Sequence, residues 1–109
     1  MSISKETEEK IQQLQLMEQN LQNFMMQKQT LQMQMIEAQS ALEELAKSNE
    51  AYKILGNIMV KTDKETLTKD LESKKETSEL RIKTIEKQEA MIRDRASKIQ
   101  KEVLEQVKE

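Results

Sequence analysis

Carboxylates are the most abundant side chains in this sequence that could carry out chemistry, because it contains 20 Asp and Glu residues. A pair of carboxylates held close together can act as a general acid and a general base. Here the carboxylates are interleaved with 18 Lys and Arg residues along segments rich in helix formers, which is typical of a solvated helix surface. We therefore expect no catalytic carboxylate pair.

The other side chains that catalysis and cofactor binding require are missing. The sequence has no Cys and no His, which excludes disulfides, the commonest soft metal ligands and His-based acid–base chemistry. It also has no Gly-rich phosphate loop and no nucleophile–His arrangement. We expect no enzymatic activity, no cofactor and no metal site.

Charge and hydropathy also limit the classes of partner. The formal net charge is −2, and the only aromatic residues are one Tyr and one Phe, so a basic surface with stacking aromatics for nucleic acid is not expected. No apolar run approaches the ~20 residues that span a bilayer, and residues 1–6 lack the apolar core of a signal peptide. We expect no nucleic-acid or membrane partner and a cytoplasmic location. Binding that vanishes at moderate salt would instead indicate a peripheral membrane or nucleic-acid binder.

A central turn separates the elements that must position any functional surface. Gly56 is the only glycine, there is no proline, and Gly56-Asn57 lies between two runs rich in β-branched and aromatic residues, 51–55 and 58–62. This pattern predicts a β-hairpin with a primed turn and a positive φ at the glycine. The alternative is a loop in a purely helical hairpin, which the β-branched flanks disfavour. The predicted cross-strand pairs are Leu55 with Ile58, Lys53 with Val60, and Tyr52 with Lys61.

The predicted hairpin is apolar on both faces and cannot be stable alone. A two-stranded sheet is marginally stable in water, its open edges invite further strands, and no other segment of the sequence offers strands. The chain should therefore be an obligate oligomer. One face carries Leu55, Ile58 and Val60, and the other carries Ile54, Met59 and Tyr52.

The segments on either side of the hairpin predict two long helices, at about 3–48 and 63–108. A heptad pattern in the first indicates a coiled-coil seam with Lys28 as its one polar residue. Before Leu14 we expect the register to fail, because Thr7 and Lys10 fall on the seam and Ile11 falls off it. Position a holds Leu14, Leu21, Lys28, Met35 and Leu42, and position d holds Met17, Phe24, Leu31, Ala38 and Leu45.

The second helix has a similar seam, which Glu89 interrupts and which Lys75 and Ser78 weaken nearer the hairpin. Its start is predicted from a capping box at residues 62–65. The two helices should pack antiparallel within a single domain, 1–109, with both termini at one end, called the tip below (residues 1–17 and 103–109). The seam residues are Leu67, Leu71, Ile82, Ile85, Ile92, Ala96, Ile99 and Val103.

Apolar residues near the tip are candidates for binding a partner or a non-native chain. An exposed apolar patch marks such a site, whereas single surface leucines and frayed ends carry no such meaning, so both interpretations stay open. The residues are Ile3, Ile11, Leu16, Met17, Leu104 and Val107.

The sequence resembles the β-type subunits of prefoldin, a chaperone of archaea and eukaryotes. The similarity is strongest at residues 52–61 (YKILGNIMVK), and it continues through 80–89, 27–30 and 37–45. Heptads occur in any coiled coil, but the central hairpin between two matching helices is much more specific. In this family the α type carries two hairpins and the β type carries one.

The resemblance implies a hexamer of two α and four β subunits whose hairpins form a shared β-barrel. It also implies ATP-independent capture of unfolded proteins at the tips and delivery to a group II chaperonin. The alternative is a structural coiled-coil scaffold or spacer that oligomerises through its hairpin. The implied oligomerisation residues are Tyr52, Ile54, Leu55, Gly56, Asn57, Ile58, Met59 and Val60. The implied client-binding residues are Ile3, Ile11, Leu16, Val103, Leu104 and Val107.

Overall fold

The chain consists of two long helices with one β-hairpin between them. The computed structural model describes residues 3–108, and the elements in order are α1 (Lys5–Lys47), β1 (Ala51–Leu55), β2 (Ile58–Thr62) and α2 (Lys64–Lys108). The predicted mainly helical fold with a central hairpin is confirmed. The predicted single domain stays a prediction, and it includes residues 1, 2 and 109, which lie outside the described residues.

Contacts divide the chain into two compact units. Unit 1 comprises Met1–Lys28 and Lys83–Glu109, and unit 2 comprises Gln29–Ile82. Unit 2 therefore contains the hairpin and the helical turns next to it. Unit 1 contains the tip.

Side-chain and backbone hydrogen bonds fix both ends of α1. The helix begins after Ser4, whose Oγ accepts a hydrogen bond from the Thr7 backbone N–H at 3.1 Å, as expected of an N-cap residue. It ends at Lys47, and the Ser48 N–H donates to the Leu45 carbonyl at 3.2 Å. This shorter-range bond closes the last turn.

α2 begins one residue later than the predicted capping box requires. Asp63 is the N-cap, because its Oδ2 accepts hydrogen bonds from the Thr66 N–H at 3.4 Å and from the Thr66 hydroxyl at 2.9 Å. Thr62, the predicted cap, is instead the last residue of β2 and pairs with Ala51. The prediction was wrong here because strand pairing continues up to the residue that precedes the cap.

In unit 2 the helix seam is built from apolar and small residues. Lys75, which was expected to weaken it, donates from Nζ to Gln39 Oε1 at 2.7 Å. Lys64 on α2 reaches the carbonyl of Ser48, just beyond α1, at 2.7 Å. Since higher residue numbers on α1 match lower numbers on α2, the helices run antiparallel in this unit. The buried residues of unit 2 are Leu31, Ala38, Leu45 and Ser78 on the helices and Ala51 at the start of β1.

In unit 1 the helices are also antiparallel, and the seam extends farther toward the tip than predicted. Thr7 is only 2% exposed, and Lys10 is half-buried. The expected failure of the register before Leu14 is therefore wrong. The polar residues occupy the seam because α2 offers partners: the Thr7 hydroxyl donates to Gln106 Oε1, and Lys10 Nζ lies 3.1 Å from Glu102 Oε2.

Candidate functional sites

The hairpin has the predicted register and turn. Leu55 pairs with Ile58, Lys53 with Val60, and Tyr52 with Lys61. Gly56 has a φ of 60°, in the left-handed region that glycine enters most easily. No atom lies within 4 Å of a Cβ built at this position, so the backbone conformation, and not a lack of space, favours glycine.

Both faces of the hairpin expose apolar side chains. Paired residues share a face and alternate along each strand, so the observed register gives the two predicted faces. Only Ala51 is buried, at 4% exposure. Six large apolar side chains are between 41% and 69% exposed: Tyr52, Ile54, Leu55, Ile58, Met59 and Val60.

The hairpin also has two open edges. Within residues 3–108 the sheet contains only β1 and β2, so the outer edge of each strand has no strand beside it in this chain. Unpaired edges present a row of N–H and C=O groups to which another strand can bind. Exposed apolar faces and open edges together make the hairpin a candidate surface for association with other chains, and the role of its residues in oligomerisation stays a prediction.

Glu50 joins the two strands at the helix-proximal end of the hairpin, a contact that the sequence analysis missed. Its Oε2 accepts a hydrogen bond from the Tyr52 hydroxyl at 2.9 Å, and its Oε1 lies 3.9 Å from Lys61 Nζ. Tyr52 and Lys61 are cross-strand partners, so one carboxylate contacts both strands. The one feature of the sequence that could have indicated this contact is that Glu50 lies two positions before Tyr52, the predicted cross-strand partner of Lys61. All three groups are exposed, and such contacts contribute about 0–1 kcal/mol.

The structure brings the apolar tip candidates to one end of unit 1. The Thr7–Gln106 hydrogen bond places the first turns of α1 beside the last turns of α2. Ile3, Leu16, Leu104 and Val107 are exposed, whereas Ile11 and Val103 are half-buried. Their role in binding clients stays a prediction.

Polar contacts between the helices hold the tip together. The hydrogen bond to Glu102 raises the pKa of Lys10 above its ordinary value of 10.5, and the Glu6 carboxylate 3.6 Å away acts in the same direction. Because the pKa of Lys10 is raised in the folded chain, its protonated ammonium stabilises the folded tip. This stabilisation is complete at pH values below the pKa of Lys10 in the unfolded chain, and it is lost only as the pH rises through the pKa of Lys10 in the folded chain. The contact between Lys10 and Glu102 is therefore present throughout the neutral pH range.

Lys28 and Glu89, which interrupt the predicted apolar seams of α1 and α2, form an ion pair with each other. Lys28 Nζ lies 2.6 Å from Glu89 Oε1, and Arg93 Nη2 lies 3.9 Å from the other carboxylate oxygen. The Glu89 side chain is 5% exposed and that of Lys28 is 24% exposed. Sequence patterning treated them as two separate interruptions, because it considers each helix alone.

Within residues 3–108, none of the helices is long and apolar enough to cross a membrane. The same residues contain no group of three or more Asp, Glu, His or Cys side chains arranged to hold a metal ion.

Comparison with known protein families gives one consistent result. A family profile described as "Prefoldin subunit" matches residues 8–109. The prefoldin subunit beta of Sulfurisphaera tokodaii is 47% identical over 64 residues, which are 59% of this chain and 51% of that protein. The same-named protein of Archaeoglobus fulgidus is 47% identical over 66 residues, which are 58% of this chain and 57% of that protein. The aligned region thus spans about half the length of these curated relatives.

The fold matches a solved structure over nearly its whole length. The crystal structure of the prefoldin beta subunit from Thermococcus strain KS-1 aligns with a TM-score of 0.82 at 30% identity, covering 94% of this chain and 92% of that one. Because the family profile spans most of the sequence and both kinds of relative are β subunits, this chain belongs to the prefoldin family and is of its β type.

Proposed function

We propose that this chain is a subunit of an ATP-independent chaperone that captures unfolded proteins at coiled-coil tips and delivers them to a group II chaperonin. The observation that carries the proposal is the exposed, two-edged apolar hairpin in a chain of the prefoldin β type. A protein that works alone would leave this surface in water. A shared body would bury it and leave the tips available.

The assembly is a hexamer of two α and four β subunits, with the hairpins forming a common β-barrel. Full burial of a large apolar side chain contributes about 1.5–3 kcal/mol. The six exposed side chains of the hairpin, at 41–69% exposure, therefore leave on the order of 5 kcal/mol unrealised in the lone chain. Backbone hydrogen bonds at the two open edges would add to this driving force.

Client capture is assigned to the tip, where Ile3, Leu16, Leu104 and Val107 are exposed. Unfolded chains expose apolar side chains and binding needs no enclosed pocket, so a few accessible apolar residues on several subunits can hold one client together. Multivalent contacts of this kind raise the overall affinity without a strong single site. The group II chaperonin would receive the client, and the complex would act in the cytoplasm.

Suppression of aggregation tests this function directly. A chemically denatured client is diluted into buffer that contains the full chain assembled with an α-type prefoldin subunit, without ATP, and light scattering is followed. We expect less scattering as the molar ratio of complex to client rises. Unchanged scattering at several-fold molar excess would refute client capture. The alternative function would then remain, which is a structural scaffold that oligomerises through its hairpin but binds no clients.

A further inference from the structure

Methionine is the only sulfur-containing residue of this chain, because the sequence has eight methionines and no cysteine. Among residues 3–108, five methionine side chains are at least half exposed. Four of them lie on the helices, and one lies on β2. An exposed thioether is open to attack by peroxides, which convert it to a sulfoxide. The five residues are Met25, Met26, Met33, Met59 and Met91.

Met59, the methionine on β2, differs from the helical methionines in its surroundings. It pairs with Ile54 across the hairpin, and it shares one apolar face with Ile54 and Tyr52. These three side chains are between 49% and 69% exposed, so the hairpin does not bury them itself. In the proposed assembly, strands of other subunits would cover this face. Met59 is therefore accessible in the single chain and becomes covered when the chain assembles.

From this placement we propose that Met59 is an oxidation site that controls assembly, because its sulfoxide keeps a folded subunit out of the complex. The oxidant is a peroxide. One oxygen atom of hydrogen peroxide is transferred to the thioether sulfur, which is oxidised by two electrons. The O–O bond breaks, and the peroxide is reduced to water. This role rests on the proposed assembly through the hairpin.

Oxidation of Met59 should alter the interface and leave the single chain folded. In the single chain the S=O group stays in water, because the side chain is 67% exposed. In the assembled body the same group would be buried in an apolar face, where a polar group without a hydrogen-bond partner is strongly disfavoured. The two donors on this face of the hairpin, the Tyr52 hydroxyl and the Lys61 ammonium, already contact Glu50. We expect roughly a tenfold or greater loss of association constant for each oxidised hairpin.

Two pairs of substitutions separate Met59 from the other methionines. Met59→Leu removes the sulfur but keeps an apolar side chain of similar volume. Met59→Gln imitates the sulfoxide with a polar side chain of similar length. Met91→Leu and Met91→Gln are the matched controls, because Met91 is 68% exposed but lies on α2. Both positions are exposed in the single chain, so all four variants should fold, which far-UV circular dichroism checks.

The order of oxidation and assembly is the decisive comparison. Each full-length chain is treated with hydrogen peroxide, quenched and mixed with an α-type prefoldin subunit, and a second sample is assembled before the same treatment. Native mass spectrometry measures the hexamer, and peptide mass spectrometry locates the sulfoxides. For the parent we expect loss of the hexamer only when peroxide comes first, with recovery after treatment with methionine sulfoxide reductases of both epimer specificities. In the sample assembled first, Met59 should stay reduced while Met91 is oxidised.

The variants should divide according to the site of substitution. Met91→Leu should lose the hexamer after peroxide as the parent does, whereas Met59→Leu should keep it. Met59→Gln should assemble poorly without any peroxide, and Met91→Gln should assemble normally.

Three results would overturn the role of Met59. The first is a parent chain that is oxidised at Met59 and still assembles at its untreated level. The second is equal sensitivity of Met59→Leu and Met91→Leu to peroxide, because the loss would then come from another residue. The third is a Met59 that stays reduced in the unassembled chain while Met91 is oxidised. If the untreated parent forms no hexamer with the α-type subunit, the proposed assembly is wrong, and the role of Met59 falls with it.

Discussion

Ile58→Asp should dismantle the assembly while leaving the helices intact. Ile58 is 62% exposed in the single chain and pairs with Leu55 beside the turn. Of the ~1.5–3 kcal/mol that full burial of such a side chain contributes, roughly 1–2 kcal/mol is therefore still to be realised in a partner interface. Within the chain alone, the substitution loses the roughly 0.6–1.1 kcal/mol that the partly buried side chain already contributes.

In the proposed barrel the cost is much larger. An aspartate placed in an apolar interface without a cationic partner adds a desolvation penalty of several kcal/mol. Together with the lost burial, each hairpin contact is weakened by roughly 4–5 kcal/mol, which is about a thousandfold in association constant. Since four β subunits carry the substitution, the loss applies to every β hairpin in the body.

Native mass spectrometry of the variant mixed with the α-type subunit gives the stoichiometry, and far-UV circular dichroism gives the helical content. The matched control is Ile36→Asp, because Ile36 is 65% exposed but lies on α1, where the substitution costs at most ~0.7 kcal/mol in helix propensity. We expect a hexamer for the control and smaller species for Ile58→Asp, both strongly helical. A hexamer formed by Ile58→Asp, or equal disassembly of both variants, would refute the reasoning.

Three further predictions concern the ends of the helices and the turn. Removal of residues 1–11 and 103–109 should preserve the hexamer by native mass spectrometry but weaken client capture in the light-scattering assay; unchanged capture would move the client site elsewhere. Asp63→Ala should lower the free energy of unfolding by about 1 kcal/mol through loss of the N-cap, and Thr62→Ala by clearly less; denaturant titrations giving the reverse order would contradict the assigned cap. Gly56→Ala should cost about 1–2 kcal/mol, because alanine resists the left-handed region even though a Cβ meets no atom within 4 Å. Gly56→Asn should recover part of this loss in the same titration, and equal stability of all three chains would argue against strain at the turn.

The hairpin could be predicted from sequence because its rules are local. Gly56-Asn57 between two β-branched runs fixes the turn, and a two-residue turn fixes the register of the strands that follow from it. All three predicted cross-strand pairs are present. The start of α2 was misplaced by one residue because two overlapping capping signals begin at Thr62 and at Asp63. Only the extent of strand pairing decides between them, and Thr62 is used by the strand.

The sequence analysis missed the polar part of the coiled-coil seam, because its signal is divided between distant segments. Thr7, Lys10 and Lys28 each read as faults in the heptads of α1, and Glu89 reads as a fault in α2. Each becomes acceptable only when the opposite helix supplies a hydrogen-bonding or charged partner. A search for residues of opposite charge at the seam exceptions of two antiparallel helices would have found the Lys28–Glu89 pair.

The inference of assembly depends on how exposed apolar residues are distributed, and not on how many there are. Six of the ten strand residues are large, apolar and exposed, whereas α1 has five such residues along its 43 positions. Single apolar side chains on a helix surface, such as Met33 and Ile36, are normal and need no partner. A contiguous set on a two-stranded sheet with open edges is different, because neither the burial nor the edge hydrogen bonds can be supplied by the described chain. We therefore infer partner strands for the hairpin, whereas a single exposed side chain on a helix, such as Met33, supports no such inference.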